Sequence, residues 1–475
     1  MNKAQMKKIK DTLLKKRPLV FDLLDKKDKE RAFQFCERYK VFLNQSKTER
    51  EAARQIVQAA RQKGFVDIDT VLTKKNRPPK KVYKIFQGRC VALATIGKNL
   101  PLLGANIIAS HIDSPRLDLK QNPLYEDLSL GLMKTHYYGG IRKYHWLALP
   151  LALHGTIIKA NNERLDITIG EDPDDPVFTI TDLLPHLAGK TQSNKNISEV
   201  FDGEKLNLVV GSMPLGGDEE KDRFKLGVLN CLYEKYGITE EDFVSAEIEA
   251  VPSEKARDIG FDRSLIGAYG QDDRVCAYTG LEAFLDSESP EKTAIALFFD
   301  KEEIGSEGSS GAKSNFLEDF MSDLLFVSGG KTDNRSLRKA LIRSSCLSAD
   351  VNAAMDPDFK DVHEAMNAAK LGFGICMTKF TGVGGKSGSS DAGSEFVGKI
   401  RHVFNKNNIV WQTGELGKID QGGGGTVAKF LAKFGMNVLD CGPALLSMHS
   451  PFEISSKADV YMTYLAYKAF YKDND

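Results

Sequence analysis

Thr293-Ala294-Ile295-Ala296-Leu297-Phe298-Phe299-Asp300-Lys301-Glu302-Glu303-Ile304-Gly305-Ser306 places two adjacent carboxylates directly behind a short apolar run. The run reads as a buried strand. An unpaired buried carboxylate is costly to desolvate, so acids at a strand end bind a metal, pair with a base, or stay solvated in a turn. In extended backbone neighbouring side chains point opposite ways, which would let one of Glu302 and Glu303 hold a metal while the other faces substrate. A solvated turn is the competing reading, and the other strand ends of the chain bear on the choice.

Working outward, ligand-type residues follow other apolar runs. His111 and Asp113 come after residues 105–109, Asp350 after 341–347, and His449 after 437–439 and Gly442-Pro443. In open α/β sheets the carboxyl ends of the strands are where sites form. Asp272 and Asp273 lie between a glycine-rich turn and a helix start. Two imidazoles with three or four carboxylates make the nitrogen and oxygen donor set expected for a pair of divalent ions. Singly, each has another reading: His111 a hydrogen-bonded structural histidine, Asp272 and Asp273 a helix cap and its neighbour, Asp350 a turn cap. Asp113 suits a carboxylate that fixes the His111 tautomer. Together, five such coincidences at strand ends argue for one site.

The remaining features set the class. A chain of 475 residues favours two domains, or one large domain with an insertion. Its 65 basic residues balance 65 acidic ones, which gives no electrostatic case for nucleic acid or anionic membrane as the main partner. Seven scattered cysteines without CxxC spacing exclude a thiolate zinc site and read as reduced thiols. The basic N-terminus is not followed by an apolar h-region, and the apolar run 146–153 is too short to span a bilayer, so a cytoplasmic enzyme is expected.

Thr48 and Glu51 look like a capping box opening a helix with Ala52, Ala53, Ile56, Val57 and Ala60 on one face. Residues 66–72 read as the start of more extended structure. Short alternating strands predict a β-rich inserted domain over 119–256, interrupting an α/β domain formed by 1–118 and 257–475. A helical stripe of Val275, Tyr278, Leu281 and Phe284, strands at 341–347 and 437–439, a helix at 427–434 and a closing helix Lys457–Tyr471 complete it. Partial motifs fail: His363 begins HExxH without the second histidine, and Phe380 stands where a P-loop ending at Lys386-Ser387 needs glycine. Gly422 to Gly425 reads as a flexible loop or a close backbone approach to ligand.

At this point the chain resembles the M18 metallo-aminopeptidases. The matching stretches are Ser110-His111-Ile112-Asp113-Ser114-Pro115-Arg116, Tyr137-Tyr138-Gly139-Gly140-Ile141, Gln271-Asp272-Asp273-Arg274, Asp300 to Ser306, Ser348-Ala349-Asp350 and Met448-His449-Ser450-Pro451-Phe452-Glu453, in family order. The resemblance implies an α/β fold whose mixed central sheet is flanked by helices and interrupted by the β-rich insert. It also implies two divalent ions per subunit, in the first place Zn2+, with Mn2+ or Co2+ tolerated by the same donors. Asp273 would bridge them, His111 and Asp350 completing one shell, Glu303 and His449 the other. Glu302 would be the general base for hydrolysis of a peptide with a free N-terminus, its first residue acidic or neutral, with Asp113 in support. His186 would reach a neighbouring subunit's site within a homo-oligomer, a tetrahedral dodecamer built of dimers, and Lys386 would meet an acidic substrate side chain. A related metallo-hydrolase (deacetylase or carboxypeptidase) and an inactive assembly or cargo protein are the alternatives.

Overall fold

Along Thr293–Phe299, Ala294, Ala296 and Phe298 pack into one apolar cluster while Ile295, Leu297 and Phe299 pack into another. Successive strand residues point to opposite faces, so both faces of this sheet must be covered. The computed structural model describes residues 1–15, 17–72, 79–288 and 290–473. Among these, nine strands form one sheet in the order Val66–Asp67, Lys81–Phe86, Cys90–Thr95, Thr293–Phe299, Ala105–His111, Ser345–Ser348, Asn437–Gly442, Ile375–Thr378, Trp411–Thr413. The four from Thr293–Phe299 to Asn437–Gly442 run parallel, and antiparallel neighbours on either side make the sheet mixed. Register sets Phe299 beside His111, Ala109 beside Ser348, and Ser348 beside Asp440. The strand ends are nearly level, so whatever follows them is delivered to one edge.

Helices cover both faces. Lys26–Asn44, Glu49–Gln62, Gln271–Leu285, Ser394–Lys406 and Lys457–Tyr471 contribute to the first cluster; Phe316–Val327, Asn334–Ile342 and Ala428–Ala432 contribute to the second. The stripe Val275, Tyr278, Leu281, Phe284 is buried throughout. The Thr48 hydroxyl accepts from the Glu51 amide at 3.2 Å, and the Glu51 carboxylate accepts from the Thr48 amide at 3.1 Å, closing the expected capping box. No helix among the described residues is long and apolar enough to cross a membrane.

A second sheet of six antiparallel strands has the order Arg164–Ile169, Leu151–Ile158, Glu247–Pro252, Arg116–Asp127, Leu130–Tyr138, Leu208–Gly211. It has its own apolar cluster around Leu117, Trp146, Leu153 and Ile248. Only Ile112 to Pro115 separate Ala105–His111 of the first sheet from Arg116–Asp127 of the second, so the two sheets meet at the strand-end edge.

Three local expectations change. Residues 341–347 split between the helix Asn334–Ile342 and the strand Ser345–Ser348, since a short apolar run does not by its period distinguish helix from strand. Residues 66–72 are a two-residue strand and the short helix Ile68–Leu72. The β-rich stretch also holds a helix, Arg223–Tyr236, and residues 177–180 make only isolated bridges to Leu151 and Val209.

Candidate metal centre

Two buried or half-buried imidazoles face one carboxylate. His111 Nε2 lies 3.3 Å from Asp272 Oδ1, and His449 Nε2 lies 3.2 Å from Asp272 Oδ2. The far nitrogens are engaged by acceptors. His111 Nδ1 lies 3.1 Å from the Asp113 carbonyl and 3.2 Å from its carboxylate, and His449 Nδ1 donates to the Gly140 carbonyl at 3.0 Å. An imidazole whose Nδ1–H is committed in this way presents its Nε2 lone pair to the carboxylate, the arrangement that suits a cation between them. Around this axis, His111, Asp272 and Asp350 form one group with ligand atoms within 4.8 Å of one another, and Asp272, Glu303 and His449 form a second.

Both groups contain Asp272 and neither contains Asp273, where the resemblance put the shared ligand. Asp273 is fully buried and lies outside both groups. The two neighbours share one helix start, but neither has helical torsions: Asp272 sits at φ −81°, ψ 107° and Asp273 at φ −115°, ψ 30°. That non-helical step aims their side chains apart. The Asp272 amide is held by Glu453 Oε2 at 3.0 Å, and the His449 amide by Glu453 Oε1 at 2.8 Å.

A similar device fixes the paired glutamates. Glu302 and Glu303 occupy a 3-10 turn after Lys301, which is left-handed at φ +67°, so the alternation expected from extended backbone does not apply. Asp113 accepts from the Glu302 amide at 3.1 Å and the Glu303 amide at 3.2 Å, and from the Tyr138 hydroxyl at 2.8 Å. Both glutamates line the same cavity, of about 390 Å³, together with His111, Asp272, Asp350 and His449. That volume is of the size that takes a small ligand.

Electrostatics follow from crowding acids in a dry place. Burial pushes Glu302 up to about 7, with Asp113 and Asp272 adding to it and the histidines opposing. Burial also raises the Glu303 and Asp350 carboxyls well above their ordinary range. Asp272 is the exception: despite burial, its contacts with His111 and His449 hold it below the usual carboxylate range. His449, opposed by burial, is driven up to about 10 by Glu303 and Asp272. Asp272 Oδ1 and Glu303 Oε1 are buried without a hydrogen bond. Buried carboxyl oxygens left without a hydrogen bond, in one cavity with two imidazoles, fit a site for divalent ions.

The remaining expected residues lie elsewhere. Lys386 is absent from the cavity lining; its ammonium pairs with Asp391 at 2.9 Å and sits 3.8 Å from the centroid of the Phe380 ring, beside a neighbouring groove. His186 is exposed on the short helix Pro185–Thr191 and does not line the cavity of its own chain. Lys429, Asn352 and Asp440, which sequence reasoning gave no role in binding, do line it. So do Gly423, Gly424 and Gly425; a Cβ at Gly423 would come within 2.2 Å of the Gly382 carbonyl, so the loop packs backbone on backbone. Glu453, Tyr138 and Gly140 were within quoted motifs, but their roles carried no local signal, whereas Asp272 was a candidate carboxylate alongside Asp273.

The sequence matches the family described as Aminopeptidase I zinc metalloprotease (M18) over residues 42–471. It is 51% identical to a probable M18 family aminopeptidase 1 of Borrelia garinii subsp. bavariensis, across 95% of this chain and 98% of that one. The fold is similar to the crystal structure of an M18-family aminopeptidase from Thermotoga maritima, with TM-score 0.93 and 47% identity, covering 97% of this chain and 100% of the other. At 19% identity, where only the fold is comparable, it resembles the S. cerevisiae mApe1 dodecamer, with TM-score 0.73 over 92% of this chain and 96% of that one.

Proposed function

The chain belongs to the M18 family of zinc aminopeptidases, and on that premise we propose that it removes the N-terminal residue, acidic or neutral, from peptides at a site holding two divalent ions. Asp272 would bridge them, with His111 and Asp350 on one and Glu303 and His449 on the other. The observation that carries this is the single carboxylate whose two oxygens each face the Nε2 of a different histidine. When bound, such a pair polarises the scissile carbonyl and lowers the pKa of an attacking water. Zinc is the ion the family description favours; the nitrogen and oxygen donors also suit manganese or cobalt.

The chain's own groups divide the remaining work. Glu302 lines the cavity but belongs to neither ligand group. It is placed to take a proton from water and return it to the leaving amine. Asp113 holds the Glu302 and Glu303 amides and the His111 ring in position, so that the base and the ligands move as one unit. The acids around His449 would attract a free α-amine, which restricts cleavage to the first residue. Lys386 would reach an acidic side chain only by releasing Asp391. The enzyme is proposed to act in the cytoplasm as a homo-oligomer, a tetrahedral dodecamer of dimers in which His186 approaches a neighbouring cavity. The dodecameric state of the yeast relative supports this.

Glu302→Gln tests the base assignment. Bound zinc should stay at the wild-type level while turnover falls by about 10²–10⁴-fold; an unchanged rate contradicts the role. N-acetylation of a cleaved peptide should stop its hydrolysis, and equal rates would indicate an endopeptidase or amidase.

A further inference from the structure

The strand Leu130–Tyr138 belongs to the six-stranded sheet, yet the three residues Tyr138-Gly139-Gly140 at its end all meet the metal centre. The Tyr138 hydroxyl donates to Asp113 Oδ2 at 2.8 Å. Gly139, at φ +74°, lies so close to Glu303 that a Cβ there would stand 3.3 Å from Glu303 Cβ and 3.4 Å from its Oε2. The Gly140 carbonyl accepts from His449 Nδ1 at 3.0 Å, and a Cβ on Gly140 would come 3.2 Å from that nitrogen. One tripeptide thus touches Glu303 and His449 directly and steadies His111 through Asp113.

We propose that Tyr138-Gly139-Gly140 is a positioning segment through which the seating of the six-stranded sheet sets the affinity of the centre for its ions. This rests on reading the site as a two-ion centre. The physical case is that a ligating histidine needs its other nitrogen fixed by an acceptor. For His449 that acceptor comes from the bend just after a strand of the second sheet rather than from the sheet that bears most of the ligands. Ion pairs join the second sheet to the helix Glu49–Gln62 and the residue Lys47 just before it. Arg116 lies over the Tyr138 ring at 3.8 Å and pairs with Glu249 at 3.1 Å in the second sheet and with Glu49 at 3.6 Å on the helix Glu49–Gln62. Lys47, just before that helix, pairs with Glu171 at 2.6 Å. A polar seat of this kind can shift slightly without dismantling either apolar core, and the tripeptide would carry such a shift to His449 and Asp113.

The test measures Zn2+ binding to the metal-free full-length protein by calorimetry and by competition with a chromogenic chelator, for wild type, Tyr138→Phe and Gly140→Ala. Each variant should bind at least one ion about 10–100-fold more weakly, the usual effect of removing a partner of a metal ligand. Gly140→Ala should weaken one ion and leave the other, because it presses on His449 alone. It should also alter the visible absorption of the Co2+-loaded protein, which a defect elsewhere in the fold would not do. Tyr138→Phe removes only a hydroxyl, and its metal-free melting temperature should match wild type; it carries the test if Gly140→Ala does not fold. Two ions bound at wild-type affinity by the folded variants would overturn this inference alone. Wild-type protein with no affinity for zinc would overturn the two-ion reading and this inference with it.

Discussion

Exchanging the neighbouring aspartates one at a time separates two otherwise similar sites. Asp272→Asn removes a negative charge whose two oxygens lie 3.3 Å and 3.2 Å from the Nε2 atoms of His111 and His449. A unit charge pair about 4 Å apart is worth ~4 kcal/mol at an effective dielectric of about 20. At 1.4 kcal/mol per tenfold, that is about three powers of ten in affinity, and it would apply to both ions of the proposed centre, which would share this carboxylate. Asp273→Asn, nearly isosteric and outside both ligand groups, should change zinc affinity by no more than a few-fold. Equilibrium dialysis against buffered free zinc, followed by metal analysis, reads both. Loss of zinc from the Asp273 variant with retention in the Asp272 variant would refute the geometric argument and restore the assignment implied by the family resemblance.

Further outcomes follow from the same contacts. Glu453→Gln leaves one acceptor oxygen for the two amides of Asp272 and His449, so one buried N–H loses its partner at a cost of about 1–3 kcal/mol; thermal melts of the metal-free protein should show the loss, and an unchanged melting temperature would count against the bracket. His154 lies 2.8 Å from Glu51 and 3.2 Å from Glu171; burial opposes its charge, but the two carboxylates raise its pKa above the ordinary value of 6.5. A raised folded pKa gives stability that is complete below the unfolded value and fades as pH rises through the folded one. The melting-temperature difference between wild type and His154→Gln should therefore be largest near pH 6 and shrink toward pH 9. A difference growing with pH would show that the imidazole is neutral.

Much of the fold was legible because its signals are local. The apolar run Thr293–Phe299, the stripe on Gln271–Leu285, the Thr48–Glu51 box and the helix Lys457–Tyr471 each satisfy a backbone period or a cap within a few residues. His111, Glu303, Asp350 and His449 stood out as candidates for the same reason, since each follows an apolar run and a polar ligand there contradicts its context. Where local cues compete, the reading failed: residues 341–347 were equally good as helix or strand, and the paired glutamates were read as extended although a 3-10 turn holds them.

The sequence alone determined which residue types must gather at the ends of the parallel strands, because burying acids and histidines without a purpose is expensive wherever they occur. Only the tertiary structure decided which of Asp272 and Asp273 enters the cavity, that Glu453 ties two distant amides together, and that Gly140 fixes a histidine 309 residues away. Those choices depend on a few tens of degrees of backbone torsion and on contacts between remote segments. Neither leaves a periodic trace in the chain, since a hydrogen bond across hundreds of residues is specified by the packing of everything between them.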